Sequence, residues 1–534
     1  MNIMGLHGGV TVGQHDAGAA LISKGKLVCF VEEERLTRVK TSTGILPVKS
    51  LQACLDQGNL KIKDIDLIVI PGETYKDIKD RTQNWIRHHF GFSPRIKTIN
   101  HQLAHLASSF YQSDFDNAMC LSYDFYGDGI SGALGVASKD KGVKILKKLS
   151  TSSSLGLFYA TMTSFLGFKP GEDEYKVMGL ASYGNPTYDL SFFCRKTLTG
   201  NYVNFDYFRS NKASTQLEPY YNEKLVAKLG KPRLLNGKID QRIKNLAAST
   251  QKTLEECAIS NIEHLYKLTN NNNLCLAGGV ALNCTANGKI IQIPYLDKFF
   301  VQPSSSDRGL ALGCAYQGAF INKQPIPKIH TTYFGPKYAK TKILNDIKIS
   351  GVKYKKINQP EKLAAKLISD GKIIGWYQGR SEFGPRALGN RSILADPTHP
   401  KMKSLINKKV KFREEFRPFA PAVTEDGYKK YFDMEKPSPF MTVAYKVKSK
   451  WRSTLKAITH VNNTARVQTV NKKQNLRFYN LLRELGKINK HPVVLNTSFN
   501  IRGQPIVETP LEAISTFAGS GIDKLIIENY LLEK

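Results

Sequence analysis

Residues 118–149, AMCLSYDFYGDGISGALGVASKDKGVKILKKL, decide the fold. The apolar string AMCLSYDF runs into the Gly-rich turn GDG, SGALGVAS follows, KDKG turns the chain again, and VKILKKL closes a strand, turn, strand, turn, strand order. The same order opens the chain as NIMGLHG (2–8), a loop, DAGAALIS (16–23), a turn at Lys24 to Lys26, and KLVCFVEEE (26–34). Two copies of one β-rich phrase predict an internally duplicated domain.

Helical stretches lie between and after the copies. From Gln241 to Leu265 the apolar positions Ile243, Ala247, Leu254, Ala258, Ile262 and Leu265 keep a 3.6-residue period, so one face is buried. Asn270 to Asn273 break the helix, and LCLAGGVALN (274–283) reads as a buried strand, the turn Gly278-Gly279 and a helix start, a seat for an anion because unpaired N–H groups point outward there. The Pro-rich segment 322–345 predicts a junction, which divides the chain into domains 1–335 and 336–534, the second another α/β domain opening with KLAAKLISDG and KIIGWYQG.

Composition bounds the function. A chain of 534 residues with 41% hydrophobic and 23% charged residues holds more than one core and is not a small binding module or a disordered segment. No stretch approaches the roughly 18 apolar residues that span a bilayer, and MNIMGLHGG lacks the basic flank and apolar run of an export signal, so a cytoplasmic protein with no membrane partner is expected. The eight cysteines stand singly without a C-x-x-C pair, which favours buried thiols over disulfides or zinc knuckles. The net charge of +32 exceeds what solubility needs and favours an anionic partner, with nucleic acid first and a Lys-rich compositional bias as the plainer explanation.

His101 and His105 in HQLAH stand i, i+4, which on a helix stacks two imidazoles on one face. Asp124 ends a strand and Asp307 lies in the loop SSSDRG, so two His and two Asp make a mixed nitrogen and oxygen set suited to iron, manganese or zinc, with Fe²⁺ first and copper(I) unsuited. Each Asp also has a plainer reading, Asp307 as a helix N-cap and Asp124 as a turn residue. His15 and Asp16 occupy the loop GQHDAG, where His15 is either a general base or part of a turn cap.

The rear of the chain carries oxyanion chemistry. Lys411 and Arg413 are two apart, which on a strand puts both cations on one face, and Ser498 and Asn500 share that spacing at the end of an apolar strand. In QGRSEFGPRALGNRS, Arg380, Arg386 and Arg391 stand among glycines that let a guanidinium approach a phosphate closely.

The strings HQLAH, EYKVMGLASYG, LAGGVALN, SSSDRGLALG, EFGPRALGNRS, FRPFAPAV, TARVQTV and LNTSFN, in this order, resemble the NodU/CmcH family of O-carbamoyltransferases, which includes the tobramycin carbamoyltransferase. The resemblance implies a duplicated actin/hexokinase-like (ASKHA) α/β domain followed by a YrdC-like α/β domain. It also implies that ATP, accompanied by Mg²⁺, and carbamoyl phosphate give carbamoyl adenylate in the rear half, where Lys411, Arg413, Ser498 and Asn500 bind the substrates. His101, His105, Asp124 and Asp307 would then hold the metal, His15 with Asp16 would serve the transfer, and Lys176, Gly278, Gly279, Asn283, Arg380, Arg386, Arg391, Arg417 and Arg466 would contact nucleotide and substrate. The chain departs from the family twice, with Phe125 where a glycine usually follows the third ligand, and with Asn462-Asn463 where H-V-D-G-T-A-R has Asp-Gly.

These readings predict an ATP-dependent O-carbamoyltransferase whose acceptor is a hydroxymethylated pyrimidine, 5-hydroxymethylcytosine in DNA, flipped out or single-stranded. The alternatives are a small-molecule or oligosaccharide hydroxyl, tRNA threonylcarbamoylation, and a non-catalytic nucleotide-sensing protein that binds nucleic acid. A homodimer is compatible with all of them.

Overall fold

The computed structural model describes residues 1–11, 13–209 and 218–534. They form two compact units, the first made of Met1–Pro71, Lys76–Thr98 and Asp307–Lys534, the second of Gly72–Tyr75 and Ile99–Ser306.

The first unit holds two sheets. One runs in the order Lys26–Glu32, Gly18–Ser23, Asn2–His7, Leu67–Pro71, Ile96–Ile99, with antiparallel pairing through the first three strands and parallel pairing from Asn2–His7 to Leu67–Pro71. Lys24 and Gly25 both take positive φ, the geometry of a tight hairpin that follows the strand twist. Because side chains alternate along a strand, Met4, Leu6, Ile68 and Ile70 pack with helices Val48–Gly58 and Ile78–Phe90 on one face. The other face takes the all-apolar helix Leu310–Ile321, which lies so close that a Cβ on Gly5 would stand 1.9 Å from the carbonyl oxygen of Ala311.

The other sheet of this unit has eight strands in the order Lys353–Lys356, Tyr530–Glu533, Lys524–Ile527, Ile374–Tyr377, Arg391–Ala395, Val493–Ser498, Ala420–Thr424, Gln468–Val470. One face packs on helices Pro360–Ser369 and Leu476–Asn489, and the other carries a larger core that includes Tyr377, Tyr431 and Phe499. Residues 324–339, within the Pro-rich segment, carry neither helix nor strand.

The second unit repeats the five-stranded plan. Its order is Gly142–Leu149, Ile130–Ser138, Asn117–Gly127, Asn273–Ala277, Lys298–Val301, again three antiparallel strands followed by two parallel ones. The duplication read from the sequence is therefore a duplication of sheet topology. The helix predicted over 241–265 spans Gln241–Thr269, capped by Asp240 at its start and by Asn270 in the left-handed conformation at its end, and all six predicted apolar positions are buried.

Candidate functional site

In the second unit, helix His101–Ser113 begins on Asn100, whose side-chain oxygen accepts from the backbone N–H groups of Gln102 and Leu103, a cap worth about 1 kcal/mol. The start is fixed a second time by Asp128, which accepts from the N–H of His101 at 2.7 Å. Both imidazoles therefore sit in the first two turns of a doubly anchored helix. Their rings lie 4.9 Å apart, and both Nε2 atoms converge on Oδ2 of Asp124, at 3.0 Å from His101 and 3.3 Å from His105.

Asp124 is delivered by a bulge. The strand ladder pairs Tyr123 with Gly132 and then Gly127 with Ile130, so Asp124, Phe125 and Tyr126 stand opposite a single residue. Bulges re-aim side chains in this way beside active sites. Oδ1 of Asp124 accepts from the N–H of Phe125 at 2.8 Å, which orients the carboxylate. Two glycines leave the room required: a Cβ on Gly127 would lie 2.4 Å from the His101 ring, and one on Gly278, whose φ is +86°, would lie 1.9 Å from the carbonyl oxygen of Tyr123. His101, His105 and Asp124 are all buried, and their donor chemistry, two imidazole nitrogens and a carboxylate, fits a divalent transition ion.

Asp307 lies in the first unit, where it opens a short 3₁₀ turn ahead of helix Leu310–Ile321. It is not the N-cap of that helix, because Gly309 holds the position. Its Oδ2 is 3.5 Å from Nε2 of His7, and His7 Nε2 also donates to the carbonyl of His15 at 3.1 Å. Asp16, next in the chain, takes the left-handed conformation, and its buried carboxylate meets Arg308 at 2.9 Å. Burial opposes ionisation of Asp16, but Arg308 and then His15 outweigh it and hold the carboxyl below its ordinary range. Arg308 reaches Glu34 as well, at 3.3 Å. His15 is half exposed, with Nδ1 3.5 Å from Asp16 Oδ2.

His7, Glu34 and Arg308 were not singled out in the sequence. The repeat contains a signal for His7, which ends the first strand of copy one much as Asp124 ends the first strand of copy two.

Also in the first unit, Lys411 joins the two rear motifs. It is buried, and its ammonium donates to Oδ1 of Asn500 at 2.7 Å, to the carbonyl of Asn500 at 3.0 Å, to Oγ of Ser498 at 3.2 Å and to the carbonyl of Ser498. Burial, then Arg413 and Arg417, push its pKa well below the ordinary lysine value. The expected strand is absent here. Lys411 closes a π-helical turn, Asn407–Lys411, and Phe412 is left-handed, so it is this kink that sends Arg413 onto Asn407 Oδ1 at 2.8 Å and over the Phe419 ring at 4.4 Å. Ser498 ends the strand Val493–Ser498 as the pattern predicts.

The remaining candidates divide. Arg391 is fully buried, donates to the carbonyls of Gln378, Gly379, Asn390 and Glu508, and stacks 3.6 Å over Tyr377. Arg380 donates to the carbonyls of Gly335, Val28 and Phe334. In this structure both guanidinium groups are committed to holding backbone. Asn283 caps helix Cys284–Ile290 and exchanges amide hydrogen bonds with Gln251, and between it and the Gly278-Gly279 turn lies a 3₁₀ turn, Gly279–Leu282, in place of an immediate helix start. Lys176 is buried and paired with Asp173 at 2.9 Å. Arg417 pairs with Glu414 at 3.6 Å, while Arg386 is half-buried and Arg466 ends the strand Thr464–Arg466.

The strand order found twice defines an α/β protein of the actin/hexokinase-like class, joined to a further mixed α/β sheet. A family model described as the carbamoyltransferase N-terminus matches residues 7–90 and 83–316, and one described as the carbamoyltransferase C-terminus matches 365–534. The nodulation protein NolNO of Sinorhizobium fredii is 35% identical over 97% of this chain and 79% of its own length. The nodulation protein NolO of Bradyrhizobium diazoefficiens is 36% identical over 82% of this chain and 79% of its own. A ROK hexokinase from Thermus thermophilus is 14% identical with a TM-score of 0.32, covering 60% of this chain and all of its own. The chain belongs to the carbamoyltransferase family and is an O-carbamoyltransferase. Among the described residues no helix is long and apolar enough to cross a membrane.

Proposed function

We propose that the chain works in two halves, 336–534 forming carbamoyl adenylate and 1–335 passing the carbamoyl group to an acceptor hydroxyl. In the first step carbamoyl phosphate, water and ATP give carbamoyl adenylate, phosphate and pyrophosphate. Lys411 and Arg413 hold the anionic substrate while Ser498 and Asn500 orient the ammonium, with Mg²⁺ accompanying ATP. In the second step the acceptor oxygen bonds to the carbamoyl carbon, the bond to AMP breaks, and His15, oriented by Asp16, takes the hydroxyl proton.

His101, His105 and Asp124, with Asp307 as fourth ligand, are the residues that would hold a divalent ion, iron first, then manganese or zinc. All four side chains are buried and each offers one donor atom. Such an ion acts as a Lewis acid on a carbonyl oxygen. The observation that carries the reading is the convergence of two buried imidazoles on one carboxylate oxygen within a carbamoyltransferase.

The acceptor that the relatives favour is a hydroxyl of a small molecule or oligosaccharide, since two of them are named for nodulation. The net charge of +32 favours a second reading, 5-hydroxymethylcytosine in DNA. Pyrophosphate release that depends on carbamoyl phosphate tests the first step. Mass spectrometry of oligosaccharides and of hydroxymethylated DNA, incubated with enzyme, Fe²⁺ and both substrates, tests the second. One carbamoyl mass added to sugar supports the first reading, and added to base it selects the other.

A further inference from the structure

We infer that Phe125, Tyr126 and Tyr75 form an aromatic platform that seats the ring of a saccharide acceptor beside the His101, His105 and Asp124 centre. The inference rests on the transfer reaction proposed above. Large aromatic side chains usually bury most of their surface, yet these three are 43%, 49% and 40% exposed. Exposed rings grouped at the edge of a site mark a place where something docks.

The platform is built, not incidental. The bulge that presents Asp124 also throws out Phe125 and Tyr126, and Oγ of Ser154 pins the carbonyl of Phe125 at 2.8 Å. Asp128, in the left-handed conformation, accepts from Oγ1 of Thr74 at 2.8 Å and from the N–H of Glu73 at 3.1 Å, so the segment carrying Tyr75 is fastened to the same turn. That same carboxylate holds the N–H of His101, which ties the rings to the imidazoles. Phe125 also stands where the family resemblance has glycine, so the platform includes a side chain that distinguishes this chain.

Charge selects the ligand. Residues 72–75 and 124–128 contain Glu73, Asp124 and Asp128 and no lysine or arginine. A phosphate-bearing polymer would meet carboxylates at this rim. A neutral sugar ring offers its C–H face to the aromatics and its hydroxyls to the phenols and carboxylates at their edge.

Saturation-transfer NMR on the full chain tests this with methyl glycosides of glucose, galactose and N-acetylglucosamine, and with 5-hydroxymethyl-2′-deoxycytidine monophosphate for comparison. Transfer is expected to the ring C–H protons of at least one glycoside, falling at least fivefold in Phe125→Gly and in Tyr126→Ala and returning in Phe125→Trp. No transfer to any glycoside, equal transfer in the variants, or a stronger signal from the nucleotide overturns it. Carbamoyl-phosphate-dependent pyrophosphate release by the unaltered chain reports separately on the underlying reaction.

Discussion

Nζ of Lys411 lies 2.7 Å from Oδ1 of Asn500, which makes one site of two motifs 89 residues apart. The ammonium is surrounded by four oxygens of Ser498 and Asn500, none of them anionic, while burial and the guanidinium groups of Arg413 and Arg417 weaken its hold on the proton. The site is short of negative charge. A bound dianion supplies it and raises the lysine pKa, so binding draws protons from solvent.

Sulfate, which does not titrate near neutrality, is a clean probe of that linkage. Calorimetry in buffers of different ionisation enthalpy should show proton uptake when sulfate binds the wild-type chain above neutral pH. Lys411→Met should bind sulfate at least tenfold more weakly and without uptake. Equal uptake by both chains would place the titrating group elsewhere.

Arg391 separates a binding residue from a framework residue. Its guanidinium is fully buried, ties four backbone carbonyls together and lies 3.7 Å from the buried Glu508. A lysine cannot reproduce that fork. Arg391→Lys should therefore cost about 3 to 5 kcal/mol in urea unfolding, the range for breaking a buried pair. Unchanged stability with weakened ATP binding would return Arg391 to the nucleotide site.

Local patterns were legible wherever chemistry and backbone coincide. The i, i+4 histidines needed only a helix, and the repeated strand phrase needed only alternation and turn residues, so both could be read directly. Lys411-x-Arg413 was misread in geometry because a two-residue spacing implies a strand only when the ladder continues, and a π-turn followed by left-handed Phe412 breaks it. The arginines of EFGPRALGNRS look alike in sequence. What separates Arg391 from a phosphate ligand is the set of carbonyls folded around it, and those come from 378–379, 390 and 508. His7 and Arg308 were illegible for the same reason, because their partners are distant in the chain.

His460 gives the stability a pH dependence. Burial, then Lys403, lowers its pKa to about 4 from an ordinary 6.5. The folded chain therefore keeps it neutral while the unfolded chain binds a proton between those values. Its contribution is complete above pH 6.5 and is lost as pH falls toward 4, by roughly 3 kcal/mol. Unfolding free energies at pH 7 and pH 4.5 should show this fall in the wild-type chain and a smaller one in His460→Gln. An identical fall in both would assign it to other groups.

Gly127 and Gly129 offer a paired test of the metal centre, because they sit in one turn and differ in what a methyl group would meet. On Gly127 it would lie 2.4 Å from the ring of His101, which must then move away from Asp124, while on Gly129 nothing lies within 4 Å. Gly129 instead has φ +79°, so its alanine variant should lose about 1 to 2 kcal/mol of stability through backbone strain alone. A metal that binds only the folded chain stabilises it by about 2.7 kcal/mol at a hundredfold excess over Kd. Gly127→Ala should lower metal affinity at least tenfold and so lose about 1.4 kcal/mol or more of that gain. Gly129→Ala should start less stable yet keep the whole metal-dependent increment. Denaturant unfolding with and without Fe²⁺ or Mn²⁺ reads both quantities, and an undiminished increment in Gly127→Ala would show that the ion does not depend on His101.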